Sequence, residues 1–467
     1  MNGKAERRKY IVSDFVAAAV TWLLFNILRY DEVAAYEGFS AIQSYLFSEP
    51  VLWGQGLIPC FWLVLFYFSG YYNKPIGKSR LTEFFSTLIT VTIGVVLVFF
   101  VIVLNDLPKS FHIYYDFFFT LLALQFIFTY IPRLTITQAG IGRIARREWS
   151  AQLLIIGTGE KAVRTAENLY KSGSTIAGFI QERAGSAIHP AIAGQVSGTL
   201  YDLPALMEAG NIDELIVALE TQDSREQLTL LYTLYRYKCP VKVLADNTNL
   251  LGKVHIKTIQ GIPLVDITDN NFSAAEKNIK LFLDKVISVV ALVLLSPLFL
   301  YIAWKVKCDS AGPVFFGQER IGYRGEPFRI HKFRTMYTNA EENGPLLSVG
   351  NDARVTPFGA FMRKYRLDEL PQFWNVLKGD MSLVGPRPER RHFIEQIVKQ
   401  APYYYLLHNV RPGITSLGMV KYGYAVNVSQ MIERLRYDII YYENMSLVLD
   451  ITILIYTVRT VVTGKGI

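Results

Sequence analysis

Four apolar segments open this chain and constrain its fold more strongly than any other feature. They cover roughly residues 11–28, 51–68, 85–104 and 111–131. An α-helix rises about 1.5 Å per residue, so about 20 apolar residues span the hydrocarbon core of a bilayer. Apolar residues make up 51% of the 467-residue chain, which is typical of a membrane protein. Residues 1–147 are therefore predicted to form a four-helix transmembrane bundle.

The charged residues around these segments predict the orientation of the bundle. Three flanking stretches are basic, and they contain Lys4, Arg7, Arg8, Lys9, Lys74, Lys78, Arg80, Arg133, Arg143, Arg146 and Arg147. The other two loops contain only Arg29 and Lys109 as cations. By the positive-inside rule, both ends of the bundle lie in the cytoplasm. Two acids at membrane depth, Asp14 and Asp116, either make interfacial or interhelical contacts or mark a transport path.

Length and charge limit the class of protein and its partners. A chain of this length is predicted to form about three domains. The net charge is +8, yet no stripe of Lys and Arg interleaved with aromatic residues appears in the polar regions, so no nucleic-acid partner is expected. Membrane lipids and phosphate-bearing substrates explain the basic charge better. The three cysteines form no CxxC pair and predict neither a zinc site nor a disulfide framework. The first apolar segment lacks the cleavage site of a signal peptide.

Residues 148–270 have the composition of a water-soluble domain. Three strand patterns, at 152–156, 176–180 and 214–219, predict an open parallel α/β sheet of Rossmann-like type. Gly157 and Gly159 follow the first strand and allow a helix N-terminus to approach a pyrophosphate. Ala162 stands in place of the third glycine of the dinucleotide fingerprint, so a domain without a nucleotide is the alternative.

A second kind of membrane segment is predicted at residues 281–303. Ser296 and Pro297 lie in its interior, and proline breaks or kinks a helix because it removes a backbone hydrogen bond. Basic residues flank both ends, namely Lys277, Lys280, Lys305 and Lys307. A crossing helix shows a charge bias between its ends, and this segment shows none. We therefore expect a re-entrant helix that enters and leaves on the cytoplasmic face, the alternative being an ordinary fifth span.

Two adjacent carboxylates, Asp368 and Glu369, lie downstream among cations. The neighbouring cations are Arg363, Lys364, Arg366, Lys378, Arg387, Arg390 and Arg391. Nearby opposite charge favours the ionised form of a carboxylate, so both are expected to be ionised at neutral pH. An ionised carboxylate can attack phosphorus or hold a metal ion, and the cations can bind phosphate oxygens. The alternative is a solvated helix face.

Residues 280–467 resemble the bacterial sugar transferase family, the monotopic phosphoglycosyl transferases. The matching runs are 296–297, 312–316, 318–322, 332–336 (Lys-Phe-Arg-Thr-Met), 367–372 (Leu-Asp-Glu-Leu-Pro-Gln), 375–388 and 410–415. The layout of the chain resembles the large form of the family, with a membrane bundle, a Rossmann-like domain and a catalytic domain. The resemblance implies that residues 271–467 form a mixed α/β catalytic domain that includes the re-entrant helix.

The resemblance also implies a reaction. An enzyme of this family moves a sugar-1-phosphate from a UDP-sugar to a polyprenyl phosphate such as undecaprenyl phosphate. Asp368 would be the nucleophile, giving an aspartyl phospho-sugar and UMP, and Glu369 would be a ligand of Mg²⁺. Phosphate or nucleotide contacts are implied for Lys332, Arg363, Arg387 and Arg411. Asp380 is a further candidate, with an ion pair as the alternative role.

Two departures from the family pattern leave the donor sugar open among glucose, galactose and acetamido sugars. Arg366 stands where the family commonly carries Ser or Thr, and 415–420 reads Thr-Ser-Leu-Gly-Met-Val. The resemblance further implies a multi-pass protein of the bacterial inner membrane, a catalytic domain on its cytoplasmic face, and a homodimer. Two other functions remain alternatives: a nucleotide-sugar epimerase or dehydratase acting at Gly157, and a non-catalytic scaffold for polysaccharide assembly.

Overall fold

The computed structural model describes residues 3–34, 39, 41–73, 79–101, 111–146, 151–171, 174–183, 185–209, 212–220, 224–237, 239–244, 256–259, 262–266, 272–340 and 352–463. The chain divides into two compact units. The first comprises Met1–Ser150 with Ser273–Ile279, and the second Ala151–Phe272 with Lys280–Ile467. The predicted boundaries near 147 and 270 lie outside the described residues.

The first unit is helical. Its α-helices are α1 (Gly3–Arg29), α2 (Ile42–Leu46), α3 (Glu49–Phe68), α4 (Arg80–Val101) and α5 (Phe111–Ala145). Four of them, α1, α3, α4 and α5, are long and apolar enough to cross a membrane. They confirm the four predicted segments, except that 102–104 of the third lie outside the described residues. The chain is a membrane protein.

A buried ion pair joins the first and last of these four helices. Arg133 donates from Nε to Oδ1 of Asp14 (2.8 Å) and from Nη2 to Oδ2 (2.7 Å), and both side chains are fully buried. Tyr72 donates to the same carboxylate at 2.7 Å. Asp14 therefore makes the interhelical contact that the sequence left as one alternative, whereas Asp116 is exposed on α5. Arg133, one of the cations that follow the fourth predicted segment, lies inside α5, which continues to Ala145.

The second unit begins with an α/β domain. Its elements are β1 (Gln152–Ile156), α6 (Glu160–Lys171), β2 (Thr175–Gln181), β3 (Val196–Thr199), α7 (Leu203–Ala209), β4 (Glu214–Val217), α8 (Ser224–Leu234), β5 (Val241–Leu244), β6 (Ile256–Ile259) and β7 (Ile262–Asp266). They form a sheet of order β3-β2-β1-β4-β5-β7-β6. The first five are parallel and β6–β7 is an antiparallel hairpin at the edge. The three predicted strands are confirmed, and β1 is buried at the centre because its residues are apolar on both faces.

The segment at 281–303 is a broken helix. It belongs to α9 (Ala274–Leu294) and α10 (Ser296–Asp309), whose axes differ by 62°. Pro297 lies in the first turn of α10, where a missing amide hydrogen is tolerated. Ser296 donates to the carbonyl of Val293 at 2.8 Å and satisfies one of the groups left free at the break. The predicted break at Ser296 and Pro297 is confirmed.

The remaining elements form a mixed α/β domain, as predicted. They are β8 (Phe315–Ile321), β9 (Pro327–Phe333), α11 (Pro357–Lys364), α12 (Gln372–Lys378), β10 (Ser382–Val384), α13 (Arg391–Ile397), β11 (Gly413–Thr415), α14 (Leu417–Lys421), α15 (Val428–Glu443) and α16 (Leu447–Val462). β8 and β9 form an antiparallel hairpin, and β10 pairs with β11 in parallel. The core packs α13, α15 and α16 around β10.

Polar contacts fix the first half of the broken helix to this core. Lys280 on α9 donates to Oδ2 of Asp450 on α16 at 2.6 Å. Asp284, one turn further, accepts from the hydroxyl of Ser382 on β10 at 2.6 Å. Asp284, inside the otherwise apolar segment, and Lys280, just before it, are thus used for packing inside the domain.

Candidate active site

Asp368 and Glu369 lie on a short 3-10 turn, Leu367–Glu369, between α11 and α12. Arg366 precedes the turn with a φ of 55°, the left-handed region, which costs a non-glycine residue about 1 kcal/mol. This reversal directs both carboxylates inward, and they are only 7% and 3% exposed. Their burial rules out the alternative of a solvated helix face.

Glu369 is surrounded by three cations. Lys332, on β9, donates to its Oε1 at 2.6 Å. Arg387 donates to the same oxygen from both terminal nitrogens at 3.4 Å, and Arg366 lies 3.8 Å from Oε2. Strand β9, which carries Lys332, and the segment after β10, which carries Arg387, therefore meet at one carboxylate. Its negative charge holds the three cations together.

The two carboxylates titrate differently. Burial raises the pKa of Asp368 to about 6 against the opposing charge of Lys332, and the negative charge of Glu369 acts in the same direction as burial. Burial also acts to raise the pKa of Glu369, but Lys332, Arg387 and Arg366 outweigh it and hold that pKa well below its usual range. The expectation that nearby cations favour the ionised form therefore fits Glu369, whereas the pKa of Asp368 moves the opposite way because of burial.

A cavity of about 320 Å³ opens beside Asp368. Asp368 lines it, whereas Glu369 does not. Among the described residues, its walls carry two carboxylates, Asp368 and Glu389, and eight cations: Arg320, Lys332, Arg334, Arg354, Arg363, Arg387, Arg390 and Arg434. Such an excess of positive charge in a concave site attracts an anionic ligand.

The structure brings most of the predicted substrate contacts together. Lys332, Arg363 and Arg387 line the cavity with Asp368, and Nε of Arg363 donates to the hydroxyl of Thr335 at 2.9 Å. Arg411 and Asp380 are not among the lining residues.

Arg411 and Asp380 have partners elsewhere in the domain. Arg411 donates from Nε to the carbonyl of Gly379 at 3.0 Å. Asp380 lies 3.4 Å from the Lys378 ammonium, which agrees with the ion-pair alternative. Substrate contact by Arg411 stays a prediction.

Several lining residues were missed from the sequence. Glu389 accepts hydrogen bonds from Arg434 and, at 3.3 Å, from Arg320. Arg334 donates to the carbonyls of Ser310 (2.6 Å) and Ala311 (2.8 Å), directly after α10, so the strand that carries Lys332 also holds the end of the broken helix. Position 334 lies within the 332–336 run, which was a usable signal. The partners of Glu389 are distant in sequence, so no local pattern indicated these contacts.

The glycine loop of the α/β domain does not contribute to this cavity. Gly157 has a φ of 128°, and a side chain there would overlap the carbonyl of Ala218. Glu220 accepts a hydrogen bond from the backbone amide of Lys161 at 2.6 Å, in the first turn of α6. Gly159 faces this carboxylate, because a Cβ at 159 would overlap the Glu220 side chain. The protein's own carboxylate thus uses a donor that a phosphate would need.

Two family models match the chain. The bacterial sugar transferase model matches residues 275–464, and a CoA-binding domain model matches residues 67–245. The first therefore covers the broken helix and the cavity, and the second covers the glycine loop.

Individual proteins are also similar. The chain is 46% identical over 188 residues to UDP-N-acetylgalactosamine-undecaprenyl-phosphate N-acetylgalactosaminephosphotransferase of Aeromonas hydrophila, covering 40% of this chain and 44% of the relative. It is 35% identical over 266 residues to UDP-glucose:undecaprenyl-phosphate glucose-1-phosphate transferase of Klebsiella pneumoniae, covering 56% and 57%. The chain thus spans about half the length of these two relatives.

A shorter relative is matched over most of its length. The exopolysaccharide production protein ExoY of Sinorhizobium fredii is 35% identical over 198 residues, which is 39% of this chain and 85% of that protein. The bacterial sugar transferase model, at residues 275–464, covers the domain that buries Asp368 and Glu369. The chain belongs to the bacterial sugar transferase family.

Proposed function

We propose that the protein transfers a sugar-1-phosphate from a UDP-sugar to undecaprenyl phosphate through a covalent intermediate on Asp368. The observation that carries this is a buried carboxylate on the wall of a cavity lined by eight cations. The names of the relatives, which specify UDP-sugar donors and an undecaprenyl phosphate acceptor, support the substrates.

The first half of the reaction uses Asp368 as nucleophile. One carboxylate oxygen attacks the sugar-bearing phosphorus of the donor, an O–P bond forms, and the bond to the UMP oxygen breaks. UMP leaves with that electron pair. Phosphoryl transfer depends mostly on positioning and charge neutralisation. Lys332, Arg363 and Arg387 line the same cavity and supply that charge.

The second half returns the enzyme to its starting state. A phosphate oxygen of the polyprenyl phosphate attacks the same phosphorus, and the bond to Asp368 breaks, giving a polyprenyl diphosphate sugar. Splitting the transfer lets a water-soluble and a lipid substrate use one nucleophile in turn. Glu369 keeps Lys332 and Arg387 at the cavity wall throughout, since its oxygen accepts from both.

The donor groups present fit Mg²⁺ in its usual mode of binding. Mg²⁺ takes one or two protein carboxylates and completes its shell with water and substrate phosphates. Asp368 and Glu369 are adjacent carboxylates, and Oε1 of Glu369 already accepts from Lys332 and Arg387, so its Oε2, 3.8 Å from Arg366, is the oxygen left for an ion. Within the described residues no group of three or more His, Cys, Asp or Glu side chains forms a metal cage. When bound through Glu369, the ion would neutralise charge on the diphosphate.

We further propose that α9 and α10 form a re-entrant helix on the cytoplasmic face of the bacterial inner membrane. The bend of 62° and the basic residues at both ends support this. Cys308 is exposed in the last turn of the second half, so a Cys60→Ala/Cys239→Ala variant isolates it. A membrane-impermeant maleimide should label Cys308 only from the cytoplasmic side. Labelling from the outside would show a crossing helix instead.

For the middle domain we propose a Rossmann-like fold, supported by the parallel strand order 3-2-1-4-5 that doubly wound nucleotide-binding sheets share. A nucleotide at Gly157 and Gly159 would have to displace the Glu220 carboxylate from the amide of Lys161. This contact favours the cationic cavity as the place of catalysis.

The test uses the purified full chain and a panel of UDP-sugars without lipid acceptor. UMP release and a mass increase equal to the sugar phosphate are expected for wild type with at least one donor. Asp368→Asn should give neither, and Glu369→Gln should react slowly. An adduct on Asp368→Asn would disprove the assigned nucleophile. Absence of UMP release from every donor would disprove the proposed activity.

A further inference from the structure

One aromatic residue on the cavity wall has no place in the mechanism so far. Tyr424 lies in the connection between α14 and α15 and lines the cavity with Asp368. It belongs to none of the runs on which the family resemblance depends.

The ring of Tyr424 lies against two of the three cations that hold Glu369. Its centroid is 5.1 Å from Cζ of Arg366 and 5.3 Å from Cζ of Arg387. Both separations are within the range of cation–π attraction. Arg366 is the residue that departs from the usual Ser or Thr, and its Nε is buried without a hydrogen-bond partner in the described structure. The ring therefore contacts a guanidinium whose Nε has no hydrogen-bond partner among the described residues, in addition to its ion pair with Glu369.

The hydroxyl of Tyr424 makes no hydrogen bond with any residue that the structure describes. Since the ring is held between two guanidinium groups and lines the cavity, the hydroxyl is available to a ligand. Burial raises the pKa of Tyr424 to about 12, with the charge of Glu369 acting in the same direction. The group is protonated at neutral pH and is a hydrogen-bond donor.

We propose that Tyr424 is a further catalytic residue whose hydroxyl donates a hydrogen bond to an oxygen of the phosphoryl group under transfer, while its ring positions Arg366 and Arg387. The attacked phosphorus must come within about 3–3.5 Å of the Asp368 carboxylate, which lines the same cavity as Tyr424. Tyr424 keeps its proton in both half-reactions. This assignment rests on the proposed function.

The test compares Tyr424→Phe with Tyr422→Phe. Tyr422 is two residues away and donates to Glu433 at 2.7 Å, but does not line the cavity. A hydrogen bond to a charged group corresponds to a roughly tenfold to hundredfold effect. Tyr424→Phe should lower the single-turnover rate of UMP release by that factor, with a much smaller change in KM, and Tyr422→Phe should match wild type.

The outcomes separate this proposal from the proposed function. Stoichiometric adduct after long incubation of Tyr424→Phe shows that the variant folds. A wild-type rate in Tyr424→Phe, an equal loss in Tyr422→Phe, or a change confined to KM would overturn the hydroxyl's role. Tyr424→Leu also removes the ring and should be slower still, and equality with Tyr424→Phe would overturn the positioning role. Wild type without UMP release would instead overturn the proposed function.

Discussion

The cavity beside Asp368 and the loop at Gly157 both have features of an anion site, and they differ in what the protein does with its own carboxylates. In the cavity, Glu369 accepts from Lys332 and Arg387, while Asp368 lines the wall. At the loop, Glu220 accepts the amide hydrogen that a phosphate would use. An internal carboxylate organises the first site and occupies the second. Glycine spacing therefore describes the shape of a phosphate site, whereas the side chains around it decide whether it is open.

The largest effect on stability should come from removing the cation shared by Glu369 and the cavity. Lys332→Met leaves Glu369 buried with only its longer contacts, so we expect a destabilisation on the order of 3 kcal/mol. UMP release should fall by at least about a hundredfold, because preorganised charge at the reacting phosphate is lost. Thermal unfolding and single-turnover UMP release measure the two effects.

Lys378→Met is the matched control for this change. Lys378 is also paired with a carboxylate, Asp380, at 3.4 Å, but its side chain is 61% exposed. An exposed pair contributes little, so its loss should change stability by less than about 1 kcal/mol. Equal destabilisation by the two variants would show that the buried contact of Lys332 with Glu369 contributes no more to stability than an exposed ion pair.

Burial of the ionised Asp368 carboxylate should lower the free energy of unfolding at neutral pH. Its pKa in the folded protein, about 6, is above the model-peptide value of 3.8, so folding favours the protonated form. Stability from this group is therefore present below about pH 4 and is lost as the pH rises through 6. Asp368→Asn should be inactive yet more stable than wild type at pH 7, on the order of 2 kcal/mol. The gap measured by thermal unfolding should close near pH 4, and a destabilised variant at pH 7 would contradict it.

The same pKa predicts the pH dependence of the first half-reaction. Only the ionised form of Asp368 attacks phosphorus, so the rate should be half-maximal near pH 6 and about tenfold lower at pH 5. Glu369 stays ionised throughout this range because its pKa is held well below normal. Single-turnover UMP release between pH 5 and 8 tests this. A rate independent of pH down to 5 would mean that the cations, rather than burial, set the pKa of the nucleophile.

Local patterns account for what the sequence could predict. Apolar runs gave the four membrane helices, Ser296 and Pro297 gave the break, and the adjacent acids gave the site, because each signal lies within one short segment. What could not be predicted depends on distant pairs. Arg133 meets Asp14 across 119 residues, and Glu220 meets Lys161 across 59. The direction of the Asp368 pKa shift also depends on burial, which arises from the tertiary fold and not from the neighbouring residues.

The smallest expected effect comes from changing Glu220 at the glycine loop of the α/β domain. Glu220→Gln removes the charge at the first turn of α6, where a carboxylate typically contributes about 0.3–1 kcal/mol. Glu160→Gln is the control, since Glu160 lies in the same turn but pairs with Arg164 at 2.5 Å. UMP release should be unchanged in both, because neither residue lines the cavity.

If the loop is a phosphate site that the Glu220 carboxylate blocks, NAD or coenzyme A should stabilise Glu220→Gln against heat more than wild type or Glu160→Gln. Equal responses in all three proteins would mean that Glu220 is a helix cap and not an occupant of an anion site.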